Sequence, residues 1–413
     1  MTKRTYDIVI WGATGFTGKL VMEYMAETYG IDGEVKWAVA GRNPTKLAEL
    51  KREILGEEAD RLPEIIADSK DQESLYAMVS ATSVVCAIVG PYALFGSELV
   101  RVCVETGTHY CDLTGEVQWM KEMIARYQSA AEASGAKIVH TCGFDSIPSD
   151  LGTYFLQCEM HRVYGVYASR VKYRLVGSKG GVSGGTMASM FNIMDEASET
   201  PSVLGVIADP YALNPANMPR GEDHADQSTL EYDKDFRQWT GPFVMAGINT
   251  RVVRRTHSLL GYPWGKYFRY DEAILAGDGP SGYVKALLIA AGTGLMNKLT
   301  SINLFRSLLK RLVPAPGEGP NSDVIKTGFF EIELRGVNVE DPTKSLSVLV
   351  NGDRDPGYGA TSKMIAESAV CLALDDLGGS GGFLTPASAM GKFLISRLCK
   401  KGGMNFELKT TKK

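Results

Sequence analysis

The chain has 413 residues, 44% hydrophobic and 22% charged, with 44 Lys and Arg against 48 Asp and Glu. At about 100–200 residues per domain, that length provides for two or three domains with their own cores. The composition excludes collagen-like and largely disordered chains, and a net charge of −4 offers no overall basic field for nucleic acid.

Residues Met1 to Asp7 lack the apolar core of a secretory leader and run directly into a strand pattern. The seven cysteines include no C-x-x-C pair, and several sit in apolar runs where a thiol behaves as a small hydrophobe. No stretch reaches the ~18 apolar residues of a membrane span. An intracellular, cytoplasmic and reducing location is expected.

Short apolar runs then alternate with helical patterns, the signature of β-α-β units and a parallel sheet. Strands are predicted at Tyr6–Trp11, Val35–Ala40, Glu64–Ala67, Ser83–Val89, His109–Cys111 and Lys137–Thr141. Helices are predicted between them at Lys19–Thr28, Pro44–Ile54, Gln72–Val79, Ser97–Thr106 and Gln118–Ser134. After Ser146-Ile147-Pro148 the rhythm changes to long alternating segments, among them Tyr164–Val176, Gly328–Val339 and Ser345–Val350, which read as an antiparallel sheet. Residues 209–238 read as a long loop, Ala360–Asp375 as a helix, and Gly378–Gly382 as a flexible loop. The expected class is α/β: a Rossmann-type parallel-sheet domain over 1–150, then an α+β domain with a mainly antiparallel sheet over 151–355. The C-terminal helices of 356–413 are expected to pack back on the first domain.

Gly12-Ala13-Thr14-Gly15-Phe16-Thr17-Gly18 joins the first strand to the first helix. Small residues there permit a tight turn and close approach of backbone to a pyrophosphate, and the new helix offers unpaired N–H groups to the anion. The G-x-x-G-x-x-G spacing is a variant of the dinucleotide fingerprint met where the cofactor is NADP. An NAD site usually places an acid after the second strand for the ribose 2′-OH. Here that strand ends in Gly41-Arg42-Asn43, with Lys46 one turn on, and a guanidinium suits a 2′-phosphate. NADP is therefore the expected cofactor. Asp68, after the third strand, either meets the adenine edge or caps the next helix. Gly90-Pro91 ends the fourth strand, beside the expected nicotinamide ribose, with Tyr92 projecting toward the reaction space.

Other chemistries lack their patterns. The one Tyr-x-x-x-Lys run, Tyr262 to Lys266, falls in a Pro/Gly turn rather than on a helix face. The five histidines show no metal spacing, so no metal is expected, and His140 in its apolar strand reads as a core residue sooner than a base. No G-x-S-x-G elbow is present.

Four further segments complete a pattern: Gly107-Thr108-His109-Tyr110-Cys111-Asp112-Leu113-Thr114-Gly115-Glu116, Cys142-Gly143-Phe144-Asp145-Ser146-Ile147-Pro148-Ser149-Asp150, Gly184-Gly185-Thr186 and Gly357-Tyr358-Gly359-Ala360-Thr361. With Gly12–Gly18 and Gly90-Pro91-Tyr92, they make a chain that resembles the saccharopine dehydrogenase-like oxidoreductases along nearly its whole length. That family includes the trans-acting enoyl reductases of bacterial lipid synthesis and a lipid-droplet-associated animal branch. The resemblance implies a Rossmann domain, a substrate domain inserted before the last helices, and NADP use, without implying saccharopine as substrate. Asp145 and Ser146 leave the sixth strand at the carboxyl edge, where ligands bind in open α/β sheets. They read either as groups near the nicotinamide or as caps on the next helix. Gly184-Gly185-Thr186 opens a helix whose first N–H groups either hold a substrate carbonyl or mark a close packing turn. Tyr92 and Tyr110 are the candidate proton donors. The basic residues of the second region, Lys172, Arg174, Arg251, Arg254 and Arg255, give no evident carboxylate clamp.

Residues 285–313 carry Lys285, Lys298, Arg306, Lys310 and Arg311 and no acid. Leu304, Phe305, Leu308, Leu309 and Leu312 recur there at helical spacing, a pattern that lies on a membrane or lipid-droplet surface, docks on the protein core or builds a homodimer interface. The leading expectation is an NADP-dependent oxidoreductase acting on a hydrophobic acyl or polyketide-like substrate, by enoyl reduction in its most specific form. The alternatives are an NADP-binding lipid-surface or scaffold protein without turnover, and a saccharopine-type amino-acid dehydrogenase.

Overall fold

A computed structural model of the protein describes residues 4–144, 146–181, 184–302, 305–306 and 319–409. Six strands occupy the N-terminal part: β1 (Tyr6–Trp11), β2 (Trp37–Gly41), β3 (Glu64–Ile66), β4 (Thr82–Ala87), β5 (His109–Asp112) and β6 (Lys137–Val139). The middle contributes β7 (Arg170–Lys179), β8 (Glu231–Asp233), β9 (Gln238–Pro242), β10 (Arg269–Gly277), β11 (Phe329–Val337) and β12 (Ser345–Gly352), and the end adds β13 (Gly382–Leu384) and β14 (Met404–Leu408).

The first sheet has the order β13-β6-β5-β4-β1-β2-β3, and all its pairings are parallel. The strand order reverses between β1 and β4, so their carboxyl ends open a crevice, where ligands bind in this architecture. Its strands read as unbroken apolar runs because both faces are covered. Ile8 and Ile10 enter one core with Val21, Met22, Leu47 and Met364, whereas Val9 and Trp11 enter the other with Leu75, Met78, Leu99 and Met120. The second sheet runs β14-β12-β11-β7-β10-β9-β8 and is antiparallel except where β7 and β10 pair in parallel. Helix Ile147–Tyr164 carries the chain from β6 to β7 and packs against β11 and β12. Its Gly152 packs tightly, since a Cβ there would lie 3.0 Å from a Leu334 methyl group.

Strand β8 lies inside the 209–238 stretch read as a long loop and pairs with β9, and two more strands, toward the end of the chain, lie where the sequence signals none. Gly382–Leu384, at the end of the segment read as a flexible loop, extends the parallel sheet beside β6. Gly381 there comes so close to the backbone of Ala131 and Gly135 that no side chain fits. Met404–Leu408 pairs antiparallel with β12. Both are strands of five residues or fewer, formed by a sheet edge already in place. Strand β6 also ends two residues early, because Thr141 adopts φ 62° and turns the chain out of the sheet. Helix Thr361–Leu374 returns to the first sheet, packing on β4, β5 and β1 and on helix Phe16–Tyr29. Between those helices the hydroxyls of Tyr24 and Tyr29 both donate to Glu367 Oε1 at 2.7 Å.

Among the described residues, no helix is long and apolar enough to cross a membrane. Helix Gly279–Ser301 nevertheless buries only Gly282, Ala286 and Thr300. Of the amphipathic segment expected after it, Leu304, Leu308, Leu309, Lys310, Arg311 and Leu312 lie outside the described residues.

Candidate functional site

The turn after β1 is built by glycine where nothing larger fits. Gly12 has φ 91°, and a Cβ on it would lie 2.6 Å from Val89 Cγ2. A Cβ on Gly18 would lie 2.8 Å from Ala13 Cα, closer than carbon atoms pack, and closer still to the Gly12 oxygen. Gly18 therefore lets helix Phe16–Tyr29 press directly onto the turn. Gly15 is the N-cap and supplies no side-chain cap, so the first-turn N–H groups have no intrahelical partner. Thr14 is exposed, while Phe16 and Thr17 are half-buried. The Phe16 ring meets Tyr358 edge-on, with centroids 4.8 Å apart. Uncapped N–H groups, a positive helix end and glycine at 12, 15 and 18 fit a dinucleotide pyrophosphate.

At the expected adenosine end Arg42 is exposed after β2, and neither it nor Lys46 has an ion-pair partner among the described residues. Asn43 acts locally, its Oδ1 accepting the Lys46 N–H at 3.0 Å and capping helix Pro44–Leu55. Asp68 accepts the Lys70 N–H at 2.9 Å, and the cap of the next helix is Asp71, which removes that alternative for Asp68. A groove of about 890 Å³ runs along Thr14, Gly15, Phe16 and Lys46 to Lys326 and Lys363. Neither Tyr92 nor Ser146 borders it.

The nicotinamide end differs from expectation. Gly90 is exposed, and Pro91 precedes a short helix at Tyr92–Phe95. Tyr92 does not project into open space: it is buried, its hydroxyl donates to the Ala87 carbonyl at 3.1 Å, and the Leu113 N–H donates to it at 3.1 Å. Burial pushes the phenol well above its ordinary range, with Asp112 adding to the effect. The hydroxyl is thus a strut between the ends of β4 and β5. Tyr110 is likewise buried and held protonated by its surroundings. His140 is buried, with Nδ1 2.7 Å from Asp112 Oδ2, as a core histidine would be. Glu116, which no sequence signal marks beyond its place in a family segment, makes three directed contacts here. It accepts the Tyr92 N–H at 2.8 Å, the Ala93 N–H at 2.9 Å and the Ser189 hydroxyl at 2.8 Å.

Asp145 lies outside the described residues. Ser146 is fully buried, and its hydroxyl donates to Asn249 Oδ1 at 3.1 Å, so it faces helix Ala246–Leu259 rather than the crevice. It starts helix Ile147–Tyr164 without capping it through its side chain. Behind it, Asn249 donates to Glu272 at 2.9 Å and Tyr270 donates to the same carboxyl at 2.7 Å; burial pushes that carboxyl up to about 7. Gly184 opens helix Gly184–Glu199, but its N–H is spent on the Tyr358 hydroxyl at 2.8 Å. Tyr358 thus joins that helix to Phe16 on the Gly12–Gly18 turn. Asp355 shapes the glycine-rich turn that carries it, accepting the N–H groups of Gly357, Tyr358 and Gly359.

The five basic residues of the second region singled out above are committed. Lys172 and Arg174 pair with Asp233, Arg251 with Asp226 and Arg254 with Asp223. Arg255, 2% exposed, donates to the carbonyls of Leu213 and Phe383, and burial lowers it to about 10.

Comparison with known proteins agrees with this geometry. Residues 8–139 match the saccharopine dehydrogenase NADP-binding domain. A Mycobacterium tuberculosis protein provisionally named a trans-acting enoyl reductase is 38% identical over 416 residues, covering 97% of each chain. The trans-acting enoyl reductase of Mycobacterium leprae is 34% identical over 430 residues, again covering 97% of each. The fold alone is shared with apo saccharopine dehydrogenase (L-Glu forming) of Saccharomyces cerevisiae, with a TM-score of 0.53, 14% identity, and coverage of 98% of this chain and 100% of that one. With identity sustained over nearly its entire length and an NADP-binding domain at its start, the chain belongs to the saccharopine dehydrogenase-like oxidoreductase family, alongside the trans-acting enoyl reductases.

Proposed function

We propose that the protein reduces an enoyl thioester of a hydrophobic acyl chain with NADPH. When bound, the nicotinamide supplies hydride to the β-carbon of the conjugated double bond, and Cα takes a proton. In this reading the turn from Gly12 to Gly18 holds the pyrophosphate and Arg42 with Lys46 holds the 2′-phosphate. The Gly90-Pro91 turn borders the nicotinamide ribose. The observation that carries the substrate class is the commitment of five cations of the second region: Lys172, Arg174, Arg251 and Arg254 each face an acid, and Arg255 faces carbonyls. A dicarboxylic amino acid would need such cations free, because bidentate charge-assisted pairing is how carboxylates are held. An uncharged acyl substrate makes no such demand.

The test is NADPH consumption by the full-length protein with medium- and long-chain enoyl thioesters, beside NADP reduction with saccharopine. Turnover of the thioesters alone supports the proposal. Turnover of saccharopine would replace it with the amino-acid dehydrogenase reading. NADPH binding without turnover of either would favour a scaffold.

We also propose that the outward face of helix Gly279–Ser301 rests on an anionic lipid surface. Tyr283, Val284, Leu287, Leu288 and Leu295 are all more than 40% exposed, and the helix carries Lys285 and Lys298 but no acid. In an antiparallel pairing of two copies these lysines would meet no acid of the same helix, whereas lipid phosphates would pair with them.

A further inference from the structure

We propose that Glu116 is a positioning residue that holds helix Gly184–Glu199 over the carboxyl edge of the parallel sheet and thereby sets the substrate side of the cleft. The inference rests on the reading that this edge is where hydride is transferred.

Glu116 follows β5 through a chain of short turns. Asp112 Oδ1 accepts the Thr114 N–H at 3.0 Å, and Thr114 Oγ1 accepts the Glu116 N–H at 3.1 Å. The carboxyl is delivered to a fully buried position with no salt bridge to a cation among the described residues. Burial pushes it above the ordinary carboxylate range, while the Ala93 N–H, the Ser189 hydroxyl and the Tyr92 N–H oppose that shift. A buried carboxyl without a cation is costly and persists where hydrogen bonds replace the lost water. Two of the three donors belong to the turn after Pro91. The third, Ser189, belongs to a helix 73 residues further along the chain. A carboxyl serving only the Tyr92 turn would not need that reach.

The contact has company. Gln118, two residues on, donates from Nε2 to Glu196 Oε2 at 3.0 Å. Ser189 and Glu196 are one heptad apart and share a helix face. At the start of the same helix, Gly184 donates to the Tyr358 hydroxyl, and the Tyr358 ring packs on Phe16. The helix is therefore tied at three points, its first N–H to Tyr358 and the face of Ser189 and Glu196 to Glu116 and Gln118. By the roughly 100° advance per residue, Met187, Met190 and Met194 fall on the opposite face, and all three are half-buried. Flexible thioether side chains adapt to apolar groups of varied shape. Glu116 thus couples the turn beside the nicotinamide to a helix with a methionine face.

The experiment compares Ser189→Ala, Ser189→Thr and Glu116→Gln with the unaltered full-length protein. Three readouts are used: amide hydrogen exchange of peptides within 184–199, NADPH affinity by fluorescence, and steady-state kinetics with an enoyl thioester. Losing one hydrogen bond to a carboxylate predicts roughly 10-fold faster exchange in that helix for Ser189→Ala. NADPH affinity is expected to stay within about twofold, because Ser189 lies off the cofactor turn, whereas KM for the thioester rises about 10-fold with kcat little changed. Ser189→Thr keeps the hydroxyl and restores all three values. Glu116→Gln also weakens NADPH binding, since it loosens the Tyr92 turn. Exchange in 184–199 unchanged by Ser189→Ala overturns the inference. Failure of the unaltered protein to reduce any enoyl thioester would instead overturn the proposed function, leaving the exchange measurement to decide the role of Glu116.

Discussion

Replacing Gly18 by alanine tests the phosphate turn at its tightest point. The added Cβ would sit 2.8 Å from Ala13 Cα and 2.9 Å from the Ala13 oxygen, where carbon contacts normally relax to ~3.5–4.0 Å. The neighbouring atoms are backbone, so no side chain can swing aside, and helix Phe16–Tyr29 must lift by about 1 Å. Overpacking of this kind costs about 1–3 kcal/mol, and alanine in a helix returns up to about 1 kcal/mol. The net expectation is a loss of stability of about 1–2 kcal/mol, read as a lower urea midpoint. The lifted helix start also withdraws N–H groups from the pyrophosphate. One charge-assisted hydrogen bond is worth about 1.5–3 kcal/mol, or roughly 10- to 100-fold in NADPH affinity by calorimetry. Gly15→Ala is the control for folding, because its Cβ would make only an ordinary 3.4 Å contact with the Gly12 oxygen, so its urea midpoint should stay near that of the unaltered protein. NADPH binding by Gly18→Ala within about threefold of the unaltered protein would refute the assignment of this turn to the pyrophosphate.

Arg42→Asp should reverse cofactor preference by placing a negative charge against the 2′-phosphate, costing about 10-fold or more in NADPH affinity while NADH binding is kept or improved; preference for NADPH that survives the change would sink the assignment. Asp150 is fully buried, and burial raises its carboxyl from 3.8 to about 7 despite the Thr256 hydroxyl and the Ala387 N–H. A raised carboxyl stabilises the fold fully below the unfolded value and loses that contribution as pH climbs through the folded one. Asp150→Asn should therefore gain stability relative to the unaltered protein between about pH 5 and pH 8, by on the order of a few kcal/mol, and equal urea midpoint differences at both pH values would show that this carboxyl does not titrate there. Flotation with phosphatidylserine vesicles should fall sharply when Leu288 and Leu295 are both changed to Glu, and undiminished flotation would remove the lipid contact.

Much of the first sheet is legible in the sequence because its signals are local. The strand Tyr6–Trp11 and the helices starting at Pro44, Gln72 and Ser97 fall where periodicity and caps place them. The turn from Gly12 to Gly18 is recognisable for the same reason: its chemistry is that of a strand, a tight turn and a helix start, all within seven residues. Tyr92 and Ser146 point elsewhere than their sequence positions suggest. Both stand at strand or helix ends beside the crevice, but a side chain there turns toward whichever partner is nearest in space. For Tyr92 those partners are Ala87 and Leu113, and for Ser146 Asn249. Glu116 escapes sequence reasoning since its donors come from residues 92, 93 and 189, and no spacing announces such a set.

By itself the sequence determined the parallel-sheet architecture, the glycine turn from Gly12 to Gly18 and the presence of Arg42 after β2, because each depends on residues adjacent along the chain. Tertiary structure alone decided that β13 and β14 exist, that Lys172, Arg174, Arg251 and Arg254 pair with acids, and that Glu116 joins the Tyr92–Ala93 turn to Ser189. Those outcomes depend on which distant groups meet when water is excluded, and a buried charge or backbone amide accepts whichever partner the packing brings within reach.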